Sequence, residues 1–177
     1  HYGPEQHGFR KGHSTVSLLH IVETVIHTAT QNNKEVAIVQ IDIAKAFDKV
    51  HRTALKSFAE NAIQGIAPEA ATFIKSMYDG DGDEISYGKA TRTLNMCSGI
   101  RQGDPLSPAL FSALVGHTLR PLIARWKNKG WGVELDPTQA GERIAILAYA
   151  DDITLFASSR VQASKMINEM SAALEGI

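Results

Sequence analysis

The chain has 177 residues, of which 44% are hydrophobic and 21% are charged, and its formal net charge is −1. These values are typical of one folded domain and exclude a disordered or fibrous protein. The single cysteine, Cys97, excludes a disulfide framework and a zinc site built from several thiolates. The longest apolar run, Ile144–Ala150, is far shorter than the ~20 residues that cross a bilayer. Because the chain begins at His1 and carries no leader, we expect it to be an internal piece of a longer protein.

The first predicted elements are a helix, a strand and two further helices. Residues 14–31 place apolar side chains at helical spacing behind Ser14, a residue type that often caps helices. Residues 35–43 alternate and are rich in β-branched side chains, which predicts a buried strand. Residues 52–63 and 68–78 are predicted to be helices, and the second of them begins with a proline.

The remaining predicted elements are a hairpin (84–96), a long helix (107–126), two apolar strands (143–149 and 153–157) and a closing helix (158–174). The hairpin turns at Gly88-Lys89, and Pro121 favours a kink in the long helix. Helices and strands are mixed without strict alternation, which predicts an α+β fold with helices packed on a sheet.

An adjacent pair of carboxylates, Asp151 and Asp152, lies between the two apolar strands. Two neighbouring negative charges repel each other and lose hydration beside apolar surfaces, and a divalent cation would remove both costs. The alternative interpretation is structural, because aspartate is common in tight turns.

A third carboxylate, Asp42, lies at the end of the predicted strand 35–43. A strand-end aspartate beside an aspartate pair could hold two Mg²⁺ ions about 3.5–4 Å apart, since Mg²⁺ takes oxygen ligands. Alternatively, Asp42 caps a helix or forms a surface ion pair. For Asp48, that structural interpretation is the preferred one.

Residues 99–111 form a glycine-containing turn that leads into the long helix. Glycines there would let the backbone approach a ligand closely. The alternative is a plain loop-to-helix junction capped by Ser107, with Arg101 and Gln102 on the surface.

These motifs together resemble a known family. Asp42 with Ala46-Phe47, residues 101–111, and residues 149–152 resemble, in this order, the three central palm motifs of reverse transcriptases. Residues 6–15 resemble the finger motif that precedes them. The resemblance is closest to the non-LTR retrotransposon (LINE-type) branch, with group II intron reverse transcriptases second.

The resemblance implies a polymerase palm, which is a ferredoxin-like antiparallel sheet backed by helices, with part of the fingers and without the thumb. Residues 1–34 would belong to the fingers, and residues 35–177 mostly to the palm, with some finger elements. As an isolated chain it is expected to be inactive.

The resemblance also implies roles for single residues. Asp42, Asp151 and Asp152 would be the catalytic metal ligands, completed by the carbonyl of Ile43, for two Mg²⁺ ions that Mn²⁺ could replace. Phe47 would be the gate that lies under the sugar and excludes a 2′-hydroxyl. Gln102 and Gly103 would contact the incoming nucleotide and the template. Arg10 would contact the template or the triphosphate.

The implied function is that of an RNA-directed DNA polymerase in retrotransposition: a primer 3′-hydroxyl attacks the α-phosphate of a dNTP and pyrophosphate leaves. The expected partners are an RNA template, a DNA primer, dNTPs and the rest of a parent polyprotein, including finger strands, a thumb and, as a further candidate, an endonuclease; no membrane is expected. Such an enzyme would act in the nucleus. Three alternatives stay open: a silent nucleic-acid-binding remnant, a group II intron maturase-type enzyme, and a two-metal nuclease or RNA-templated RNA polymerase that shares only the carboxylates.

Overall fold

The computed structural model describes residues 5–8, 10, 12–79, 83–94, 97–135 and 143–177. The chain divides into two units. Unit 1 comprises His1–Ala44 and Pro108–Glu175, and unit 2 comprises Lys45–Ser107 with Gly176–Ile177. Within the described ranges, no helix is both long enough and apolar enough to span a membrane.

In chain order the elements are α1 (Thr15–Gln31), β1 (Ala37–Asp42), α2 (Ala46–Lys49), α3 (Arg52–Phe58), which continues as a π-helical segment (Ala59–Ile63), α4 (Pro68–Tyr78), β2 (Asp83–Tyr87), β3 (Ala90–Leu94), α5 (Ser107–Asn128), β4 (Val133–Glu134), β5 (Arg143–Ile144), β6 (Ile146–Tyr149), β7 (Asp152–Ala157) and α6 (Arg160–Leu174).

Unit 1 is built on an antiparallel sheet with the strand order β1-β7-β6 in the described ranges. β7 runs along the whole of β1, from the pair Ala37 and Ala157 to the pair Asp42 and Asp152. Residues 5–8 extend the sheet at its other edge, where Gln6 forms a parallel bridge with Ala148 of β6. The strands β4 and β5 pair separately.

The side chains of β7 point alternately to the two faces of the sheet, and the core of unit 1 includes residues on both faces. Val25 of α1 packs with Leu147 and Phe156, all three of which are buried. Because side chains alternate along a strand, Ile153 and Leu155 lie on the opposite face, where both are buried. Helix α6 packs on β7 and β1. The part of the sheet formed by β1 and β7 is therefore covered on both faces.

Unit 2 contains the helices α2–α4 and the hairpin β2-β3. Backbone hydrogen bonds attach the segment before α5 to the chain after β1: the Ile100 N–H donates to the Phe47 carbonyl (2.8 Å), and the Gly99 N–H to the Val50 carbonyl (2.8 Å). These contacts fix the start of the loop that carries Gln102.

Most of the predicted elements are confirmed, with differences at their ends. Ser14 caps α1 by accepting a hydrogen bond from the Ser17 N–H (3.3 Å). Helix α5 continues past Pro121 to Asn128. The helix predicted over 52–63 ends in a π-helical turn. The predicted hairpin residues 95–96 lie outside the described residues. The elements α2 and β4 were not predicted.

The prediction that the first strand is buried is wrong. β1 has no buried residue, and Gln40 and Asp42 are exposed. The physical reason is its position: β1 is an edge strand of the described sheet, so it lacks a neighbouring strand on one side.

Glu169 of α6 joins α6 to α5. Its carboxylate accepts hydrogen bonds from the indole N–H of Trp126 (2.8 Å), from Arg125 (3.0 Å) and from Lys129 (3.1 Å). Burial alone would raise the pKa of Glu169, but the hydrogen bonds from Trp126 and Lys129 and the charges of Arg125 and Lys129 bring it below its ordinary value. Trp126 itself is fully buried.

We expect Glu169→Ala to lower the free energy of unfolding by about 1–3 kcal/mol, because it leaves the buried indole N–H without an acceptor. Glu169→Gln keeps an acceptor oxygen and should cost less. Urea unfolding measures both. Glu134→Ala is the control, since Glu134 also binds two cations, Lys34 and Arg143, but accepts from no buried donor among the described residues. An equal loss in the control would contradict the role given to Trp126.

Candidate active site

Two of the three predicted carboxylates face each other across the sheet. Asp42 is the last residue of β1, Asp152 is the first residue of β7, and the two are directly paired. Tyr149 of β6 is paired with Asp152 on the other side. Directly opposite residues of antiparallel strands lie on the same face, with Cβ atoms about 4.5–5.5 Å apart. Like charges in this position destabilise the pairing unless a positive charge compensates them.

Asp151 lies in the turn between β6 and β7, directly before Asp152, and is half-buried. The preceding residue, Ala150, is buried and has φ 58°, in the left-handed region that side chains other than glycine rarely adopt. Such a conformation costs roughly 1–2 kcal/mol in an L-residue and needs support from the surrounding structure.

The support comes from Gln6, whose side chain is buried, with 2% of its surface exposed. Its amide oxygen accepts hydrogen bonds from the Ala150 N–H (3.1 Å) and the Gly8 N–H (2.9 Å). Its amide nitrogen donates to the Ala150 carbonyl at 3.4 Å. One side chain therefore binds both backbone groups of the turn residue next to Asp151.

The donor set suits a hard divalent cation. Asp42, Asp151 and Asp152 offer only carboxylate oxygens, the ligands that Mg²⁺ prefers, and the facing pair gains stability from any positive charge bound between its members. In the part of the chain that the structure describes, however, no three His, Cys, Asp or Glu side chains converge closely enough to hold an ion. The carboxylates are thus brought to one end of the sheet without forming a preassembled three-ligand site. Ile43, whose carbonyl is a predicted ligand, directly follows β1.

A cavity of about 430 Å³ lies beside the facing carboxylates, between the sheet and the start of α1. Its polar side holds Asp42, Asp152 and Tyr149, and the side chains that complete its wall are Thr15, Leu18, Leu19, Val22, Gln40, Ile41, Leu147, Ile153 and Thr154. The wall is apolar toward α1 and polar toward the strand ends. That combination suits a ring with a charged or hydroxyl-bearing group.

The predicted nucleotide contacts lie in unit 2. Gln102 is exposed on the loop before α5, and its amide nitrogen donates to the carboxylate of Asp48 (2.7 Å). Both residues line a groove of about 570 Å³ together with Arg52, Ser98, Gly99, Ile100 and Arg101. Gly103 has φ 87°, which explains the glycine at this position. Phe47 of α2 is half-buried.

Asp48, for which a structural role is the preferred interpretation, accepts a hydrogen bond from the Gln102 side chain on the exposed surface of unit 2. This contact agrees with a structural role, although it is neither a helix cap nor an ion pair.

Residues 6–15, which are predicted to be a finger motif, are described in part, since Phe9 and Lys11 lie outside the described residues. Arg10 is half-buried and donates from its guanidinium to the Gln6 carbonyl (2.9 Å). His7, which is 8% exposed, has its Nδ1 atom 3.0 Å from Nδ1 of His13. Burial, followed by the positive charges of His13 and Arg10, lowers the pKa of His7 below its ordinary value.

Sequence reasoning did not foresee the partners of two residues, Gln6 and Asp48. Both lie within motifs that were singled out, but no spacing rule pointed to their partners. Gln6 and Ala150 are separated by 144 positions, and Asp48 and Gln102 by 54. A side chain that reaches a distant partner leaves no periodic signal in the sequence.

The sequence model of the family described as reverse transcriptase (RNA-dependent DNA polymerase) matches residues 1–176. The chain belongs to the reverse transcriptase family. Both the predicted family and the predicted non-LTR branch are confirmed, because the relatives of this reverse transcriptase domain include proteins of the non-LTR elements R2 and jockey.

The retrovirus-related Pol polyprotein of the type-1 retrotransposable element R2 from Popillia japonica is 29% identical over 160 residues, which are 89% of this chain and 21% of that protein. The RNA-directed DNA polymerase from the mobile element jockey of Drosophila funebris is 26% identical over 167 residues, 93% of this chain and 17% of that protein. The reverse transcriptase domain thus spans about a fifth of the length of these relatives.

Among solved structures, apo telomerase from Candida tropicalis, truncated from the C-terminal domain, is similar in fold. The TM-score is 0.50 at 14% identity, over 94% of this chain and 32% of that chain. At this identity the likeness concerns the fold alone. It supports an antiparallel sheet combined with helices as the architecture of the family domain.

The lowered pKa of His7 predicts how stability depends on pH. The unfolded chain, in which histidine titrates near pH 6.5, takes up the proton more readily than the folded chain, so the free energy of unfolding falls as the pH drops below ~6.5. We expect the fall in melting temperature between about pH 7.5 and about pH 5.5 to be smaller in His7→Gln than in the unmodified protein. His27→Gln, which changes an exposed histidine of α1, is the control. An unchanged pH profile in His7→Gln would contradict this assignment.

Proposed function

We propose that this reverse transcriptase domain is the catalytic part of an RNA-directed DNA polymerase of a non-LTR retrotransposon. It would transfer deoxynucleotides to a primer 3′-hydroxyl on an RNA template. The observation that supports this most directly is the pairing of Asp42 with Asp152 at the end of the sheet, with Asp151 in the adjoining turn. Template, primer, dNTPs and the remaining parts of a polyprotein are the partners of the complete protein.

Residues 35–177 would form mostly palm, with some finger elements, and residues 1–34 would be part of the fingers. The antiparallel strands β1, β7 and β6, with α1 and α6 packed on them, support the palm assignment. A sheet of this kind suits catalysis because strand ends hold charged groups on a rigid support.

Reverse transcriptases use divalent metal ions, and Asp42, Asp151 and Asp152, with the Ile43 carbonyl, would hold two Mg²⁺ or Mn²⁺ ions here. Bound ions neutralise charge on the reacting phosphates and activate the attacking hydroxyl. The contribution of the chain is positional: β1 and β7 hold Asp42 and Asp152 on one face, and the cavity beside them leaves room for part of the nucleotide or primer end.

The nucleotide contacts would come from unit 2 and from the finger motif. Gln102, oriented by Asp48, would contact the incoming nucleotide together with Gly103, whose missing side chain leaves the backbone accessible. Phe47 would exclude a 2′-hydroxyl. Arg10, whose guanidinium is anchored on the Gln6 carbonyl, would contact template or triphosphate.

We expect Asp151→Asn to reduce primer extension by more than ~100-fold, because groups that stabilise developing charge contribute ~10²–10³-fold each. The assay is extension of a DNA primer on an RNA template by the protein expressed from its complete reading frame. Asp79→Asn, which changes an exposed aspartate after α4, is the control and should extend normally.

Full activity of Asp151→Asn would exclude the carboxylate assignment. A silent remnant of a polymerase would give a different result: the unmodified protein would bind RNA and extend no primer with either metal.

Replacement of the Phe47 ring tests the sugar gate. We expect Phe47→Ala to raise the ratio of ribonucleotide to deoxynucleotide incorporation by roughly tenfold or more, because removal of the ring opens space for a 2′-hydroxyl. Incorporation kinetics with both sugars measure the ratio. Phe73→Ala, at an exposed phenylalanine of α4, is the matched control. A lower melting temperature with an unchanged ratio would identify Phe47 as a core side chain only.

A further inference from the structure

We propose, on the basis of the polymerase function above, that Gln6 is a positioning residue for the catalytic carboxylates. Its buried amide would set the conformation of the turn that carries Asp151 and leads into Asp152, without contact to the reacting groups. This assigns to the finger motif a role in the geometry of the aspartate pair.

The burial of Gln6 requires an explanation. A polar side chain with 2% of its surface exposed is costly unless its donors and acceptors are bound. The amide oxygen of Gln6 accepts from the Ala150 N–H (3.1 Å) and the Gly8 N–H (2.9 Å), and its nitrogen donates to the Ala150 carbonyl (3.4 Å). Two of these three hydrogen bonds join Gln6 to one turn residue, 144 positions away.

Ala150 is the residue that needs such contacts. It lies at the tip between β6 and β7, where the strand ladder no longer pairs its backbone, yet it is 6% exposed. Its φ of 58° is unfavourable for alanine. The Gln6 amide binds its N–H and its carbonyl together, and so stabilises the one conformation in which both groups point to the same side chain.

The backbone of the segment around Gln6 is held against β6, directly before the turn, and these contacts do not involve the Gln6 side chain. The Ala148 N–H donates to the Glu5 carbonyl (2.9 Å), and the His7 N–H donates to the Ala148 carbonyl (2.8 Å). Gly8 allows the close approach, because a Cβ atom at this position would lie 2.4 Å from the Ala150 nitrogen. The absence of a side chain at Gly8 therefore has a steric cause.

The consequence for the carboxylates follows from the chain itself. Asp151 is joined to Ala150 through one peptide, so a change in ψ of Ala150 rotates the Asp151 side chain. Asp152 begins β7, and its pairing with Asp42 depends on where the turn ends. Loss of the Gln6 contacts would let the turn take other shapes, in which the carboxylates are misplaced although the sheet is intact.

The experiment compares Gln6→Met with Gln162→Met in the protein expressed from its complete reading frame. Methionine has nearly the length of glutamine and binds no backbone group strongly. Gln162 is the matched control, because its amide oxygen also accepts two backbone hydrogen bonds, from Gly132 (3.1 Å) and Ser158 (3.0 Å), at a different position in unit 1.

We expect both variants to lower the melting temperature, and only Gln6→Met to lower kcat, by ~10–100-fold, as is typical for residues that orient metal ligands. The KM for dNTP should stay unchanged. Hydrogen exchange, measured by mass spectrometry on the peptide that contains Ala150, should accelerate in Gln6→Met and not in Gln162→Met. Gly8→Ala should reproduce the changes in kcat and in exchange.

A kcat of Gln6→Met equal to that of Gln162→Met would overturn the proposal, as would unchanged exchange at Ala150. If Gln6→Met does not fold, hydrogen exchange in the unmodified protein tests the proposal instead. Exchange of the Ala150 amide as fast as in an open loop would contradict the hydrogen bond to Gln6. Absence of primer extension by the unmodified protein would count against the polymerase function, while the exchange comparison would still show whether Gln6 holds the turn.

Discussion

Antiparallel pairing of β1 with β7 places two acidic side chains, Asp42 and Asp152, opposite each other at one end of the sheet. This arrangement opposes folding, because like charges are brought together. It persists because the rest of the two strands is held by apolar packing on both faces, with Phe156 on one face and Ile153 and Leu155 on the other. The apolar packing of the two strands thus offsets the repulsion between the two carboxylates.

The same packing also fixes which face the carboxylates occupy. A shift of β7 by one residue would carry Phe156 to the opposite face and Asp152 with it, away from Asp42. The cost of misplacing the large buried side chains is far greater than the repulsion that such a shift would relieve. The placement of Asp42 and Asp152 on one face therefore depends on the apolar residues of the same two strands.

Local sequence patterns were sufficient for most of the elements, but not for α2 and β4. The helix α1, the strand β7 and the hairpin β2-β3 each carry a periodicity or a turn signal that a short window contains. Burial was harder to predict, because the alternation in β1 does not reveal that the strand lies at a sheet edge. The roles of Gln6 and Asp48 depend on contacts between distant parts of the chain, which become visible only when the folded backbone is known.

The left-handed conformation of Ala150 has one more consequence. Glycine would adopt the same φ without strain, but it would also adopt many other conformations, in the folded turn as in the unfolded chain. Alanine is strained at this φ, but it has fewer alternative conformations than glycine. In the proposed polymerase, a turn with fewer alternative conformations would keep Asp151 and Asp152 closer to fixed positions, at a cost in local stability.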